Sequence, residues 1–223
     1  MASIENHQTA QVNMVIIPNI PLDIYALDTT KIKTKIADIF SDSKPVITQF
    51  PEIVVIFEPN NQISVNVIKD DNKIIIADNK ITPYTSRDTA TFLKFAKEAS
   101  DIILGGSQAK QFGINILSVL DISGDSIKSG EIIRDKFINI SNFNEKLGGT
   151  IEGAGIKVVY KKDTIRYDLM MEPRFGTDLI PTKSININLN AHLNGDIPDL
   201  TRLTSLGQEI YNNLASTVTL LLA

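Results

Sequence analysis

The chain has 223 residues, of which 43% are hydrophobic and 22% are charged, as in a typical globular protein. It contains no cysteine, which excludes disulfides, thiolate nucleophiles and cysteine-ligated metal centres. The formal net charge is −4 without a concentrated basic stretch, which disfavours a nucleic-acid partner, and no apolar run is long enough to span a membrane.

The first half begins with a polar segment, residues 1–10, that predicts a flexible tail. Residues 12–17 are mostly apolar and stop at a proline, which predicts a strand. Residues 29–41 carry isoleucines at helical spacing, so we expect a short helix with Asp28 or Thr29 as its N-cap. No signal peptide precedes these elements, and we expect a cytoplasmic protein.

An antiparallel meander follows, because the hydrophobic period changes from 3.6 to two. Residues 46–57 form either one bent strand or two strands broken at Pro51, and residues 62–69 and 73–77 form the next two. A long amphipathic helix is then predicted over residues 86–104, with Thr85 or Ser86 as its N-cap and glycines at its end.

The second half repeats this order of elements. We expect strands at 111–122, 150–160, 164–172 and 183–193, a short helix at 131–140, and a closing amphipathic helix at 199–222. The sequence therefore predicts an α+β fold of two pseudo-repeats, 11–105 and 106–223. Each repeat reads β-α-β(3-4)-α, with an antiparallel sheet covered on one face by its long helix. Whether the two repeats share one sheet is left open.

This order of elements resembles the fold of the TATA-box-binding protein, in which two repeats form a saddle. Pro83-Tyr84 before the long helix, the run 111–115 opening a strand, and Glu172-Pro173 also resemble a sporadically distributed prokaryotic family of uncharacterised proteins. The first resemblance implies topology alone, since a fold does not carry a function. The second implies no activity.

Two predicted strands, 164–172 and 183–193, carry the candidate site. In each of them polar residues alternate with apolar ones and so share one side of the strand. In the strand 183–193, polar residues alternate with apolar ones, although asparagine is disfavoured in strands. This pattern indicates either a solvated face or a face that hydrogen-bonds a partner. The predicted partner-binding residues are Arg166, Asp168, Glu172, Asn186, Asn188, Asn190 and His192.

Catalytic, cofactor and metal sites are not predicted. Asp168 and Glu172 lie about 13 Å apart on a strand, too far for a catalytic carboxylate pair, and cross-strand salt bridges to Arg166, Lys157 or Lys161 are the simpler interpretation. The glycines at 148, 149, 153 and 155 precede a strand instead of a helix, so they do not form a phosphate loop. The two histidines, His7 and His192, show no ligand spacing.

We therefore expect a non-enzymatic protein that binds a protein partner, or itself, through this polar sheet face. Nucleic-acid binding on a saddle-like sheet is a second hypothesis, with the charge against it. A small-molecule or enzymatic pocket between the repeats, near Tyr84 and Gly105-Gly106, is a third.

Overall fold

The computed structural model describes residues 4–124, 128–137, 151 and 153–222. Within these residues the chain forms a 10-stranded antiparallel sheet with four α-helices. The strands are β1 (Ile4–Pro18), β2 (Val46–Gln49), β3 (Ile53–Glu58), β4 (Ile63–Ile68), β5 (Lys73–Asp78), β6 (Thr82–Pro83), β7 (Ala109–Ile122), β8 (Ile156–Lys162), β9 (Ile165–Phe175) and β10 (Pro181–Asn194). The helices are α1 (Thr29–Ile39), α2 (Thr89–Leu104), α3 (Ser129–Phe137) and α4 (Leu200–Leu222).

The two halves of the chain share this single sheet. Its strand order is β2-β3-β4-β5-β1-β7-β10-β9-β8, and the short β6 pairs with β1. The first strand of each half, β1 and β7, lie side by side at the centre and are antiparallel over almost their whole length. Any surface at the centre of the sheet is consequently built from both halves.

All the described helices lie on one side of the sheet, because the strands alternate between buried apolar and more exposed residues. On β10, Ile185, Ile187, Leu189 and Ala191 are fully buried while the intervening residues are not. The buried sides of β1 and β5 contact α2, that of β7 contacts α4, and those of β9 and β10 contact α3. The opposite side of the sheet therefore stays free of helices in the described part of the chain.

The two long helices contribute most of the helical layer. The buried stripe of α2 contains Phe92, Phe95 and Ala99, and that of α4 contains Leu203 and Ile210. The two helices also pack against each other. Burial of each large side chain contributes about 1.5–3 kcal/mol to the free energy of unfolding. The contact between α2 and α4 joins the two halves on the helical side, and the β1–β7 pairing joins them within the sheet.

The N-terminal prediction of a flexible tail is wrong for residues 4–10, which form the beginning of β1 and pair with β6 and β7. A register shift between Thr9 and Gln11 places an extra residue, Ala10, in β1. This bulge turns Thr9 toward the helices and Gln11 toward the other side of the sheet. It also breaks the alternation by which a strand is recognised in a sequence.

The start of α2 also differs from the prediction. A 3-10 turn over Tyr84–Ser86 precedes the helix, and the N-cap is Asp88, whose side chain accepts a hydrogen bond from Thr91 N at 3.0 Å. Arg87, between them, donates to the carboxylate of Asp78 at 3.0 Å and is almost fully buried. This tertiary ion pair holds the turn out of the helix.

Of the two alternatives for the segment 46–57, the structure confirms two strands, which pair antiparallel on either side of Pro51. The other predicted elements agree with the structure to within a few residues, with one exception. The strand predicted at 150–160 begins at Ile156, and residues 138–150 and 152 lie outside the described part of the chain. Within the described residues, no helix is long and apolar enough to cross a bilayer.

Candidate functional site

The candidate site is the side of the sheet that carries no helix, which we call the open face. Its middle row crosses nine strands through residues that pair directly with one another. This row contains Val46, Phe57, Ser64, Ala77, Asn13, Asn115, Asn190, Asp168 and Val159. Because cross-strand neighbours lie about 5 Å apart, the row forms one continuous surface over both halves of the chain.

All seven residues predicted as the partner-binding site lie on this face. Asn190 is directly opposite Asp168 and His192 is directly opposite Arg166. The third such pair is Asn186 with Glu172, and Asn188 faces Met170. The asparagines and Asp168 are half-buried, whereas Arg166, Glu172 and His192 are exposed. The alternation in the sequence thus places these side chains correctly, and their role in binding stays a prediction.

The centre of the open face holds a chain of amides that the sequence analysis missed. Asn115 Nδ2 donates to Asn13 Oδ1 at 2.8 Å, and Asn13 Nδ2 donates to Gln11 Oε1 at 2.8 Å. Gln11 Nε2 in turn donates to Asn79 Oδ1 at 2.5 Å. We call Asn13, Asn115 and Asn190, which lie side by side on β1, β7 and β10, the amide row.

One acceptor of the amide row has no partner. Asn115 Oδ1 is buried from solvent and accepts no hydrogen bond from the described residues. An unsatisfied buried polar atom costs about 1–3 kcal/mol, so a donor from a bound molecule would be stabilising here. The sequence carries a signal for this residue, since Asn115 alternates with the apolar Ile114 and Ile116 and therefore lies on the other side of the strand.

The first-half side of the open face is richer in apolar side chains than the second-half side. We call this region the apolar patch; it consists of Val15, Ile17, Ile53, Val55, Phe57, Ile68 and Ile75. These side chains are half-buried except for Phe57, which is 41% exposed. Asn66 lies between Val55 and Ile75, and Lys73 lies opposite Ile68, so the patch is interrupted by two polar side chains. Exposed apolar side chains grouped in this way mark candidate interaction sites. The sequence analysis placed the candidate site on the second half alone and so missed it.

Charged side chains are concentrated at the second-half edge of the open face, in a region that we call the charged margin; it consists of Lys157, Arg166, Asp168 and His192. Asp168 lies 3.2 Å from Arg166 Nε, 3.8 Å from Lys157 Nζ and 4.0 Å from His192 Nε2. The predicted salt bridges of Asp168 to Arg166 and Lys157 are therefore present, although the one to Arg166 runs along β9 and not between strands. These groups are partly solvated, so each pair contributes little to stability.

A depression of about 200 Å³ lies on the open face where the halves meet. Its walls include Val15, Asn115, Asn190 and His192, and its floor is Gly113. A Cβ atom at Gly113 would lie 3.0 Å from the carbonyl oxygen of Ala191 and 3.5 Å from His192 Nδ1. The glycine therefore keeps β7 and β10 close together and leaves the depression empty of side chain.

Tyr84, expected near a pocket between the halves, instead lies in an aromatic stack on the helical side. Its ring centroid is 4.1 Å from that of His7 and 4.2 Å from that of Tyr211. Tyr211 OH donates to the carbonyl of Tyr84 at 2.7 Å and accepts from Thr9 Oγ1 at 2.6 Å. Burial raises the pKa of Tyr84 and lowers the pKa of His7 to about 4, so both are neutral at pH 7.

Gly105, the other landmark of that expected pocket, lines a separate shallow depression with Pro18 and Leu22. The stack of His7, Tyr84 and Tyr211 is not part of it. Among the described residues, no group of three histidine or acidic side chains is arranged to hold a metal ion. The chain matches no protein-family model and no curated protein.

Proposed function

We propose that the protein is a non-enzymatic binding protein and that its open face docks a protein partner. The observation that carries this proposal is the segregation of all described helices to one side of the sheet. The other side then presents the apolar patch, the amide row and the charged margin as one surface. A partner would bury the apolar patch, form hydrogen bonds with the amide row and form ion pairs with the charged margin.

The composition of the open face supports a protein partner. Stable protein interfaces combine an apolar, well-packed centre with a polar rim and about one hydrogen bond per 100–200 Å². Phe57, the most exposed side chain of the apolar patch, has the aromatic character that is enriched at such centres. Rotation of the Asn115 amide toward the partner would give the unpartnered Oδ1 a donor.

We further propose that the chain is an internal duplication with a topology like that of the TATA-box-binding protein. The strand order supports this, because β5 flanks β1 on one side of the central pair as β10 flanks β7 on the other. In each half a long helix follows the last strands, and these helices, α2 and α4, pack against each other. A pseudo-twofold axis would then pass between Asn13 and Asn115.

Nucleic-acid binding on the same face is the weaker alternative. The charged groups on it include the cations Lys157, Lys161 and Arg166, which alternate with the carboxylates of Asp168 and Glu172. A phosphate backbone requires a positive track, because neutralised phosphates supply much of the affinity. This face does not offer one.

The experiment compares Phe57→Glu with Val158→Glu. Phe57 is 41% exposed on the open face, whereas Val158 is 42% exposed on the other side of the sheet, so the two substitutions are matched in burial. We expect Phe57→Glu to abolish the partners recovered by quantitative pull-down, or the oligomer seen by sedimentation, and Val158→Glu to retain them. Thermal melts verify that both variants fold.

Identical partners and an identical oligomeric state for both variants and the wild type would refute the open face as the docking surface. A mobility-shift titration of duplex DNA and RNA over a salt series accompanies this experiment. Binding that weakens steeply as salt rises, and that is lost in Phe57→Glu, would transfer the proposal to a nucleic-acid partner.

A further inference from the structure

At one edge of the open face, the described residues offer fewer carboxylates than cations and fewer acceptors than hydrogen-bond donors. Lys161 on β8, Arg166 on β9 and His192 on β10 are direct cross-strand neighbours in a single row. Like charges placed directly opposite each other destabilise a sheet. A negative charge placed near Lys161 and Arg166 would therefore be stabilising.

The described residues supply only part of that counter-charge. Asp168 is the one carboxylate at this position, and it is shared by Arg166 and Lys157 and lies 4.0 Å from His192. Among the described residues, Lys161 forms no ion pair. Arg166 contacts Asp168 through Nε alone, which leaves its two terminal nitrogens without a partner in the described part of the chain.

These groups surround a hollow of about 500 Å³, within the size range of small-molecule sites. Besides the charged side chains, Gln111, Thr164 and Asn194 line it and add amide and hydroxyl donors. The hollow adjoins the smaller depression above Gly113, since Gln111 and His192 line both. An anionic group in the hollow would have room beside it for the rest of a ligand.

We propose that this hollow binds a small anionic molecule that carries phosphate or several carboxylates. The planar guanidinium of Arg166 matches the paired oxygens of either group, and Lys161 supplies a second charge from the opposite strand. Asp168 orients Arg166 through Nε. This site shares Arg166 and His192 with the charged margin that the proposed protein partner would contact, but it does not use the apolar patch, so substitution of Phe57 separates the two proposals.

The test is calorimetric titration of the full chain with inorganic pyrophosphate in one arm and citrate in the other, at low ionic strength. We expect one of the two probes to bind, and Lys161→Gln and Arg166→Gln each to weaken it about tenfold, because hydrogen bonds between charged groups are strong. The matched control is Lys162→Gln, which removes the same charge from the next residue. Lys162 points to the other side of β8, where it lies 3.3 Å from Glu209, and its substitution should leave the affinity unchanged.

Two results would overturn the proposal: neither probe binds at millimolar concentration, or Lys162→Gln weakens binding as much as Lys161→Gln, which would indicate general charge attraction. Binding of pyrophosphate alone assigns a phosphate ligand, and binding of citrate alone assigns a carboxylate ligand. Phe57→Glu should not change either titration. The anion site and the protein-docking proposal can therefore fail separately.

Discussion

Replacement of Gly207 by alanine tests how tightly the two long helices are packed. Gly207 lies within α4, and a Cβ atom added there would overlap Cδ1 of Leu93 on α2. Leu93 is only 1% exposed, so any movement of its side chain takes place within the packed core. The sequence of α4 shows its apolar stripe but gives no sign that this glycine is where α2 approaches.

Two effects of opposite sign determine the result of Gly207→Ala. Alanine is better than glycine inside a helix by about 1 kcal/mol. Inserting a methyl group into a filled core costs about 1–3 kcal/mol. We expect the second effect to prevail, with a net loss of about 1 kcal/mol in the free energy of unfolding and, for a chain of this length, a decrease of about 2–4 °C in Tm.

A double-mutant cycle with Leu93→Ala separates the two effects. Leu93→Ala alone should cost about 2–5 kcal/mol, because it leaves a cavity. In that background Gly207→Ala no longer meets the leucine, so it should stabilise the protein by about 1 kcal/mol through helix propensity. Urea unfolding followed by circular dichroism measures all four proteins. If Gly207→Ala stabilises the wild type as much as it stabilises the Leu93→Ala variant, the close packing of α2 on α4 is refuted.

Three further predictions concern single side chains. Burial opposes ionisation of the fully buried Glu58, but the N–H groups of residues 44, 60 and 61 outweigh it and hold its pKa below the ordinary 4.5. Glu58→Gln should therefore cost about 1–3 kcal/mol at pH 7, and urea melts should show a smaller loss of stability below pH 4.5 than in the wild type. Burial lowers the pKa of His7 from 6.5 to about 4, so as pH falls the unfolded chain takes up a proton first, and the free energy of unfolding should decrease between pH 6.5 and 4. Because solvent screens a half-buried group, the decrease should be about 1–2 kcal/mol, and thermal melts of His7→Phe should not show it. Asn115→Ala should change the free energy of unfolding by less than about 1 kcal/mol, because removal of the unpaired buried Oδ1 offsets the loss of the hydrogen bond from Nδ2 to Asn13. It should nevertheless weaken partner capture, and a larger loss of stability would show that the amide row is structural.

The alternating strands and the hairpin neighbours within the first-half meander were predictable from the sequence, and the neighbours of strands that are distant in the chain were not. Apolar spacing identifies which side of β10 is buried, because that pattern lies within one strand. It cannot show that β1 pairs with β7, a contact between residues about a hundred positions apart. The amide row was missed for this reason: Asn13 and Asn115 become one feature only when their strands are adjacent.

The errors at the N-terminus and at α2 have a common physical cause, since tertiary contacts override local preference at both places. The polar segment before Ala10 becomes a strand because β7 pairs with it and because Thr9 reaches Tyr211. Thr85 and Ser86 are good N-cap residues, but the ion pair of Arg87 with Asp78 keeps them in the preceding turn. In both cases local propensity predicts the type of the element, β1 as a strand and α2 as a helix, but not the residue at which it begins.

The central pairing of β1 with β7 also determines what the open face can be. The apolar patch lies on the first half, and the charged margin lies on the second. Only the amide row crosses the junction, and each half contributes to it. A partner that covers the centre must therefore contact both halves, so the docking surface exists only in the intact sheet. A half-chain could keep its helix and meander but would expose β1 or β7 as a sheet edge, and it should lose partner capture even where it stays folded.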